Sequence, residues 1–176
     1  LLVSSAASDV YKRQTLTFTI DPDDAKDFDD ALSFKKLKNN NVEIGIHIAD
    51  VTHYLEKNTL LDKEAKKRAT SVYLSDRVVP MLPEILSNDL CSLNPNEDKN
   101  VFSVLVEIDN NFNIISKEFS KCLINSNERM SYQEAQHVIE NKTEKLPADV
   151  TITKKKRSLS NCLLYTSPSP RDQSGS

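Results

Sequence analysis

Six aspartates lie within ten residues, in the sequence DPDDAKDFDD at positions 21–30. Like charges at this density repel one another, since each pair at ~4 Å costs about 1 kcal/mol in water and several times that near a protein surface. A bound divalent cation would remove this cost. A solvated acidic loop is the alternative, but the run contains Phe28 and precedes the apolar Ala31 and Leu32, which would draw some of the carboxylates toward a core.

The spacing of these acids distinguishes between kinds of metal site. An EF-hand calcium loop needs an oxygen ligand at position 5, glycine at position 6 and glutamate at position 12. Counted from Asp21, the acidic run has alanine, lysine and leucine at those positions, which excludes calcium binding of that kind. Carboxylate sites with few ligands instead suit Mg²⁺ or Mn²⁺, and two such ions can stabilise the attacking and leaving oxygens of a phosphodiester. The loop therefore indicates phosphodiester hydrolysis.

Composition and charge exclude several other classes of protein. The chain has 176 residues, 38% of them hydrophobic and 28% charged, which is typical of one globular domain. Gly45 is the only glycine between residues 15 and 161, so the glycine-rich phosphate loops of P-loop and Rossmann proteins are absent. No apolar run approaches the ~20 residues of a membrane-spanning helix, so we expect a cytoplasmic protein without a membrane partner. The net charge of −3 does not indicate a general nucleic-acid platform.

Both ends of the chain are expected to be foreign to the domain. Residues 9–14 and 162–167 can be encoded by reverse-complementary DNA, which unrelated protein segments should not share, and both resemble a translated transposase-type sequencing adapter. We therefore expect residues 1–14 and 162–176 to be disordered foreign segments that flank one domain at residues 15–161.

The pattern of strands places the acids at a strand end. Residues 15–20 alternate polar and apolar β-formers and lead directly into the acidic run. A second strand is expected at 42–50, with its four β-branched aliphatic residues on one face. Residues 101–108 and 114–119 form an expected antiparallel pair, whereas the prolines within 78–83 exclude a central strand there.

Two helices are predicted from their capping residues. Thr59 begins a capping-box sequence with the acid three residues later, before a run of helix formers at 60–69. A second capping box, Ser131 with Glu134, opens a helix that runs to about Glu140. The order of strands and helices predicts an α+β fold with a mainly antiparallel sheet and helices packed against it.

Several separated sequence blocks occur in an order shared with one enzyme family. TID at 19–21 is followed by DFDDA at 27–31, and the further blocks are IADV at 48–51, RATSVY at 68–73, VPMLP at 79–83 and LSNDLCSLNP at 86–95. These blocks resemble the catalytic domain, called the RNB domain, of the RNase R/RNase II exoribonucleases, and their wording is closer to RNase R. The resemblance covers about residues 15–140.

This resemblance implies an activity and a set of site residues. It implies metal-dependent 3′-to-5′ hydrolysis of single-stranded RNA to nucleoside 5′-monophosphates by a bacterial enzyme, which we expect to be a monomer. The family's four metal-site aspartates carry over onto Asp21, Asp27, Asp29 and Asp30, which would be catalytic and hold Mg²⁺, with Mn²⁺ as an alternative. Asp29 would act at the scissile phosphodiester, and the other two acids of the loop lie outside the set.

Two tyrosines also match the family. Tyr73 matches an aromatic residue that grips RNA near its 3′ end, where stacking on one base is worth ~1 to 3 kcal/mol; a half-buried strand tyrosine is the alternative interpretation. Tyr132 follows the Ser131 cap, where unsatisfied helix amides favour a phosphate, and the family has a tyrosine near its active site there. A hydrophobic staple or a core tyrosine is the alternative. The three histidines lack metal-ligand spacing and are expected to be structural or exposed.

The family's catalytic domain is more than twice as long as this chain, and its later half carries further catalytic residues. We therefore expect the chain to be incomplete as an enzyme on its own and to report the function of a longer parent protein. The competing hypothesis is a non-catalytic acidic module that binds a divalent cation or a protein partner. Hydrolysis of RNA distinguishes the two.

Overall fold

The computed structural model describes residues 15–140, which contain eight strands and two α-helices. The strands are β1 (Leu16–Asp21), β2 (Asp30–Lys36), β3 (Val42–Ala49), β4 (Val72–Tyr73), β5 (Val78–Val79), β6 (Asp98–Ile108), β7 (Ile114–Asn125) and β8 (Glu128–Ser131). The helices are α1 (Leu60–Arg68) and α2 (Tyr132–Ile139), with a 3₁₀ turn at Val51–His53 and a π-helical turn at Ile85–Leu90. The predicted disorder of residues 1–14 and 162–176 lies outside the described residues.

Six of the strands form one sheet in the order β7-β6-β3-β2-β1-β8, and β4 and β5 form a separate two-stranded ribbon. Neighbours in the large sheet are antiparallel except β1 and β8, which are parallel. The predicted α+β fold with a mainly antiparallel sheet is therefore confirmed. Strand β8 was not predicted, because its four residues are too few to show an alternating pattern.

The register of the strands collects the acidic residues at one end of the sheet. Asp21 is the last residue of β1, and Asp30 is the first residue of the antiparallel β2. Strand β8 runs parallel to β1, so its last residue, Ser131, pairs with Asp21. Asp30 pairs with Ile48 near the end of β3. The loop that joins β1 to β2, residues 22–29, therefore sits at this end.

Helix α2 covers one face of the sheet near β1 and β8. Phe18 of β1 and Met130 of β8 are almost fully buried and pack against Ala135 and Val138 of the helix. Burial of one such side chain contributes about 1.5 to 3 kcal/mol. This packing fixes the direction in which the chain leaves β8, and with it the position of Tyr132 at the start of the helix.

Strand β3 departs from the simple alternation that its sequence predicts. Its first two aliphatic residues are buried, but Ile46 and Ile48 on the same face are 40% and 49% exposed. His47 points to the opposite face and is buried, with its ring nitrogens 2.8 Å from the Ser33 hydroxyl and 2.6 Å from the Ser103 hydroxyl. His47 is therefore a structural residue held by the two neighbouring strands.

Helix α1 has only half of the capping box that its sequence predicts. The Thr59 hydroxyl accepts a hydrogen bond from the Asp62 amide at 3.2 Å. The Asp62 carboxylate, however, accepts from the Asn58 amide at 2.7 Å and not from the amide of the cap residue. The helix ends at Arg68, one residue earlier than predicted, because Ala69 adopts a left-handed conformation with φ of 62°.

Helix α2 begins as predicted, since both hydrogen bonds of the capping box between Ser131 and Glu134 are present. Strands β6 and β7 pair as predicted but are longer, beginning at Asp98 and ending at Asn125. The additional residues were not predicted as strand because several of them are polar. One of these is Lys99, whose buried ammonium group donates to the Asp89 carbonyl. No helix among residues 15–140 is long and apolar enough to cross a membrane.

The segment between β3 and β6 forms a small lobe at the acidic end of the sheet. Ala65 of α1 packs with Leu82, Leu86 and Cys91 in a hydrophobic cluster separate from the one under α2. The ribbon of β4 and β5 belongs to this segment, and its prolines exclude it from the large sheet, as predicted. The lobe brings Tyr73, at the end of β4, across from the acidic loop.

Candidate active site

Phe28 anchors the acidic loop in the core. It is 6% exposed and belongs to a hydrophobic cluster with Leu93 and Val101. Its amide donates to the Ser92 hydroxyl at 3.0 Å, and its carbonyl accepts from the Leu93 amide at 2.9 Å. The Ser92 hydroxyl also lies 3.0 Å from the Lys26 carbonyl, to which it donates. The end of the loop that carries the DFDD sequence is thus fixed by a buried side chain and three hydrogen bonds.

Two open clefts adjoin the anchored loop. The larger, of about 690 Å³, is lined by Asp21, Asp27 and Asp29 on the loop side and by Tyr73 on the lobe side. The smaller, of about 340 Å³, shares Asp27, Asp29 and Tyr73 with the first and continues over apolar residues that include Ile48. The structure therefore brings three of the four predicted metal-site aspartates and one predicted RNA-binding tyrosine to a single open surface.

Asp30 and Tyr132 lie beside this surface and not in it. Asp30 is exposed at the start of β2, and its charge raises the pKa of both Asp21 and Asp29, although it lines neither cleft. Tyr132 is 60% exposed and follows Ser131, the register partner of Asp21. Tyr132 is therefore at the same end of the sheet, and the alternative of a core tyrosine is excluded.

The loop carboxylates lie in a field of like charge. Burial raises the pKa of Asp21, the charges of the neighbouring aspartates raise it further, and the Thr19 hydroxyl and the Arg129 guanidinium oppose this rise. Asp29 is open to solvent on one side, but burial on its other side raises its pKa, and three loop aspartates add to the effect. A divalent cation at this place would relieve both groups.

Tyr73 contacts the acidic loop directly. Its hydroxyl donates to the Asp27 carboxylate at 3.2 Å, although the two residues are 46 positions apart in sequence. The charge of Asp27, followed by burial, raises the pKa of the tyrosine. The side chain is 68% exposed, so the alternative of a half-buried strand tyrosine is wrong. Its ring is available for contact with a ligand in the cleft, and RNA binding stays a prediction.

The donor set fits a hard divalent cation in its chemistry. The Oδ2 atom of Asp21 is buried and has no hydrogen-bond partner in the described part of the chain. Carboxylate oxygens of this kind are the ligands that Mg²⁺ and Mn²⁺ prefer. Among residues 15–140, however, no three His, Cys, Asp or Glu side chains converge closely enough to form a metal-binding group. The assignment of the four aspartates as ligands stays a prediction.

Two residues that hold the loop were given no role by the sequence. Ser92 binds the loop from 64 residues further along the chain, and Arg129 binds the Pro22 carbonyl from 107 residues away. Ser92 lies within a sequence block that resembles the RNB domain. The resemblance identified the block but assigned no role to the serine. No local pattern marks Arg129, because its contact depends on the parallel pairing of β8 with β1.

Comparison with known protein families decides the identity of this fold. The sequence profile described as "RNB domain" matches residues 11–167. The chain belongs to the RNB domain family. The resemblance drawn from the separated sequence blocks is thereby confirmed. The matched range reaches into both segments that were predicted to be foreign, and their origin stays a prediction.

Relatives of this RNB-family chain occur in bacteria and in eukaryotes. The chain is 51% identical over 127 residues to ribonuclease R 1 of Lactococcus lactis and 49% identical over 132 residues to DIS3-like exonuclease 2 of Schizosaccharomyces pombe. These alignments cover 72% and 74% of the chain but only 16% and 14% of the two relatives. The predicted bacterial origin is therefore not decided by similarity alone.

Among solved structures, the RNB-family chain is similar to Mycoplasma genitalium RNase R in complex with ribose-methylated single-stranded RNA. The TM-score is 0.71 at 32% sequence identity, and the match covers 93% of this chain and 25% of that one. The similarity confirms the fold class and the family, and the bound RNA is a property of that protein.

Proposed function

We propose that this RNB domain is part of a metal-dependent exoribonuclease that hydrolyses single-stranded RNA from its 3′ end to nucleoside 5′-monophosphates. The observation that carries the proposal is the shared open surface on which Asp21, Asp27 and Asp29 face an exposed tyrosine. Because the chain spans about a sixth of the relatives it matches, the activity is proposed for a longer protein that contains this sequence.

The four aspartates are proposed to hold the cation and to orient the RNA end. Asp21, Asp27, Asp29 and Asp30 would bind Mg²⁺, or Mn²⁺ in its place, and the bound ion would stabilise charge on the phosphodiester oxygens. Asp21 offers a buried oxygen that no other described group satisfies. Asp27 and Asp29 both line the two clefts. The resemblance to the family assigns Asp29 to the scissile end.

Tyr73 is proposed to hold a base of the RNA next to the acids. An exposed aromatic ring stacks on any base, with a contribution of about 1 to 3 kcal/mol and little sequence preference. The hydrogen bond from its hydroxyl to Asp27 would keep the ring at a fixed distance from the carboxylates. Single-stranded RNA is the partner that this arrangement suits, because an unpaired base is free to stack.

Tyr132 is proposed to contact RNA through its own ring and hydroxyl. The capping box already pairs the Glu134 amide with the Ser131 hydroxyl, and the Glu134 carboxylate adds negative charge to the first turn. The amides at this helix start are therefore a weaker phosphate site than the sequence suggested. The position of Tyr132 beside the end of β1 remains suitable for an RNA contact. A cytoplasmic location and a monomeric state stay predictions.

The test uses a longer protein that contains this sequence, with single-stranded RNA labelled at its 5′ end. Stepwise shortening from the 3′ end, with release of nucleoside 5′-monophosphates that stops when EDTA removes Mg²⁺, is the expected result. Double-stranded RNA without an overhang serves as the control substrate. A protein that binds Mg²⁺ but releases no mononucleotides would support the alternative of a non-catalytic acidic module. The 176-residue chain alone is expected to be inactive.

A further inference from the structure

Arg129 makes three separate contacts with the acidic loop. Its Nη2 atom donates to the Pro22 carbonyl at 2.7 Å and to the Asp23 carbonyl at 2.6 Å. Its guanidinium carbon lies 5.1 Å from the centre of the Phe28 ring, which is a cation–π contact. Arg129 is in register with Thr19, two residues before the end of β1. One side chain from β8 therefore contacts the first two residues of the loop and its buried anchor.

These contacts complete the fixation of the loop. Ser92 and the packing of Phe28 hold its later part, as described above. Arg129 holds its first part through two backbone carbonyls, which a change of loop side chains would not remove. A guanidinium is planar, so the Nη2 atom can donate to two adjacent carbonyl oxygens while the group lies over the Phe28 ring. Asp27 lies in the later part, between the Lys26 carbonyl and the Phe28 amide that Ser92 binds, and lines the cleft.

The charge of Arg129 makes it possible to distinguish an electrostatic role from a positioning role. A positive charge beside a group of carboxylates lowers their affinity for a cation, because the two cations repel each other. If charge alone mattered, loss of Arg129 would strengthen binding of a divalent ion. If Arg129 acts by holding the loop, its loss would weaken binding, since ligands that must first be ordered bind less tightly. The two roles therefore predict changes of opposite sign.

We propose that Arg129 is a positioning residue for the acidic loop, holding the backbone at Pro22 and Asp23 so that Asp27 and Asp29 face the cleft. The proposal rests on the proposed function in one respect, which is that a divalent cation binds in this cleft. The positioning itself is a property of the loop and can be measured without the cation.

The first measurement is Mn²⁺ binding to the 176-residue chain, followed by the paramagnetic resonance signal of the free ion. Arg129→Gln removes the charge and the guanidinium group, and we expect it to weaken binding about 10-fold to 100-fold, as is typical when groups that orient metal ligands are lost. Arg129→Lys keeps the charge and one donor group, and its affinity should lie between those of the parent and the glutamine variant. Lys117→Gln, an exposed residue on β7, removes the same charge elsewhere and should leave binding unchanged.

The second measurement is amide hydrogen exchange of the same proteins without metal. We expect Arg129→Gln to speed exchange at the Ala25 amide, which donates to the Pro22 carbonyl, and at the Phe28 amide. Amides in the centre of β6 should keep their protection in every variant, which shows that the sheet is intact. A merely structural role would change the loop and the sheet together.

The outcomes separate the two proposals. If Arg129→Gln binds Mn²⁺ as tightly as the parent or more tightly, or if its loop amides keep their protection, the positioning role is wrong. If the parent itself binds no Mn²⁺, the metal part of the proposed function fails, and the exchange of the loop amides still decides the role of Arg129.

Discussion

Asp50 and the acidic loop lie at the same end of the sheet, but their surroundings shift the carboxylate pKa in opposite directions. Asp50, which follows β3, has its Oδ2 atom 2.8 Å from the Lys121 ammonium group and accepts a hydrogen bond from the Thr52 hydroxyl. Burial alone would raise the pKa of Asp50, but these partners more than offset it and hold the pKa below its ordinary value. Asp50 is therefore stable as an anion.

Asp21 and Asp29 have no comparable partners. Asp21 is buried to nearly the same degree as Asp50, yet its Oδ2 atom has no hydrogen-bond partner among the described residues, and its pKa is raised. The pKa of Asp29 is raised as well. Carboxylates that remain uncompensated in a cleft are typical of functional sites. The contrast favours a structural role for Asp50 and supports the proposal that Asp21 and Asp29 bind a ligand.

The largest expected effect concerns the loop side of this contrast. In a longer protein with the proposed activity, Asp29→Asn keeps the size of the side chain but removes one negative charge from the cleft. Turnover should fall on the order of 100-fold to 1000-fold, or about 3 to 4 kcal/mol, as for loss of one electrostatic contact to a transition state. RNA affinity should change little, because most contacts are to other phosphates and bases. Single-turnover cleavage and RNA binding measure the two quantities.

Asp23→Asn is the matched control for this prediction. Asp23 is an exposed acid of the same loop that lies outside the predicted ligand set and lines neither cleft, so its loss removes an equal charge from the same region. Its turnover should stay within a fewfold of the parent. If Asp29→Asn cleaves RNA at close to the parental rate, the proposed catalytic role of Asp29 is wrong.

A second prediction extends the functional side to Tyr73. Tyr73→Ala should weaken binding of single-stranded RNA by ~1 to 3 kcal/mol, because one stacking surface is lost. Tyr73→Phe keeps the ring but removes the hydrogen bond to Asp27, so its RNA affinity should be close to that of the parent. Equilibrium RNA binding to both variants is the measurement. Equal weakening in both variants would instead assign the effect to the hydroxyl and its bond with Asp27.

A third prediction concerns the structural side. Asp50→Asn should lower the free energy of unfolding by about 1 to 2 kcal/mol at neutral pH, since a charged hydrogen bond is lost but Lys121 is well exposed to solvent. Because the folded-state pKa is lowered, this stabilisation is present above the ordinary value of 3.8 and is lost as the pH falls through the lower folded value. Urea unfolding as a function of pH measures it.

The pH dependence makes this test specific. At a pH below both values, the parent carries a protonated Asp50, and the parent and Asp50→Asn should then differ little in stability. Lys117→Gln, which removes an exposed charge from the same strand as Lys121, should change stability little at any pH. A difference between the parent and Asp50→Asn that stays constant as the pH falls would show that Asp50 acts by packing and not by charge.

The sequence predicted those parts of the molecule that depend on neighbouring residues. The strand before the acidic run, the capping box of Ser131 with Glu134 and the pairing of β6 with β7 all follow from local patterns, and all are present. The resemblance to the family grouped four aspartates, and the structure brings Asp21, Asp27 and Asp29 to one cleft but leaves Asp30 outside it.

The features that were missed depend on contacts between distant strands. His47 is buried only because β2 and β6 supply hydroxyls to both of its ring nitrogens. Gly45 belongs to the same arrangement, since a Cβ there would lie 2.6 Å from the His47 Nε2 atom. Arg129 could not be connected to the loop without the parallel pairing of β8 with β1. The alternation of polar and apolar residues along a strand does not indicate which side chains of distant strands will be in contact.

The smallest expected effect tests the comparison without any RNA. In the metal-free 176-residue chain, Asp29→Asn should raise the free energy of unfolding at neutral pH, because it removes one charge from a group of repelling carboxylates. The gain should be no more than about 1 kcal/mol, since Asp29 is open to solvent on one side and water screens the repulsion. Urea unfolding in EDTA measures it, and Asp23→Asn shows how much of the gain any loop charge would give.

The sign of the pH dependence and the response to Mg²⁺ make this small effect decisive. A raised folded-state pKa means that the parent loses stability as the pH rises through that value, so the advantage of Asp29→Asn should disappear at a pH below 3.8, where neither protein carries the charge. Mg²⁺ should reverse the order at neutral pH, because an ion at 100 times its Kd stabilises the protein that binds it by about 2.7 kcal/mol, and the variant binds it less tightly. Asp50→Asn, in contrast, should be less stable than the parent with and without Mg²⁺. If Asp29→Asn destabilises the metal-free chain as Asp50→Asn does, then Asp29 has a structural partner, and the two carboxylates do not differ in the way proposed.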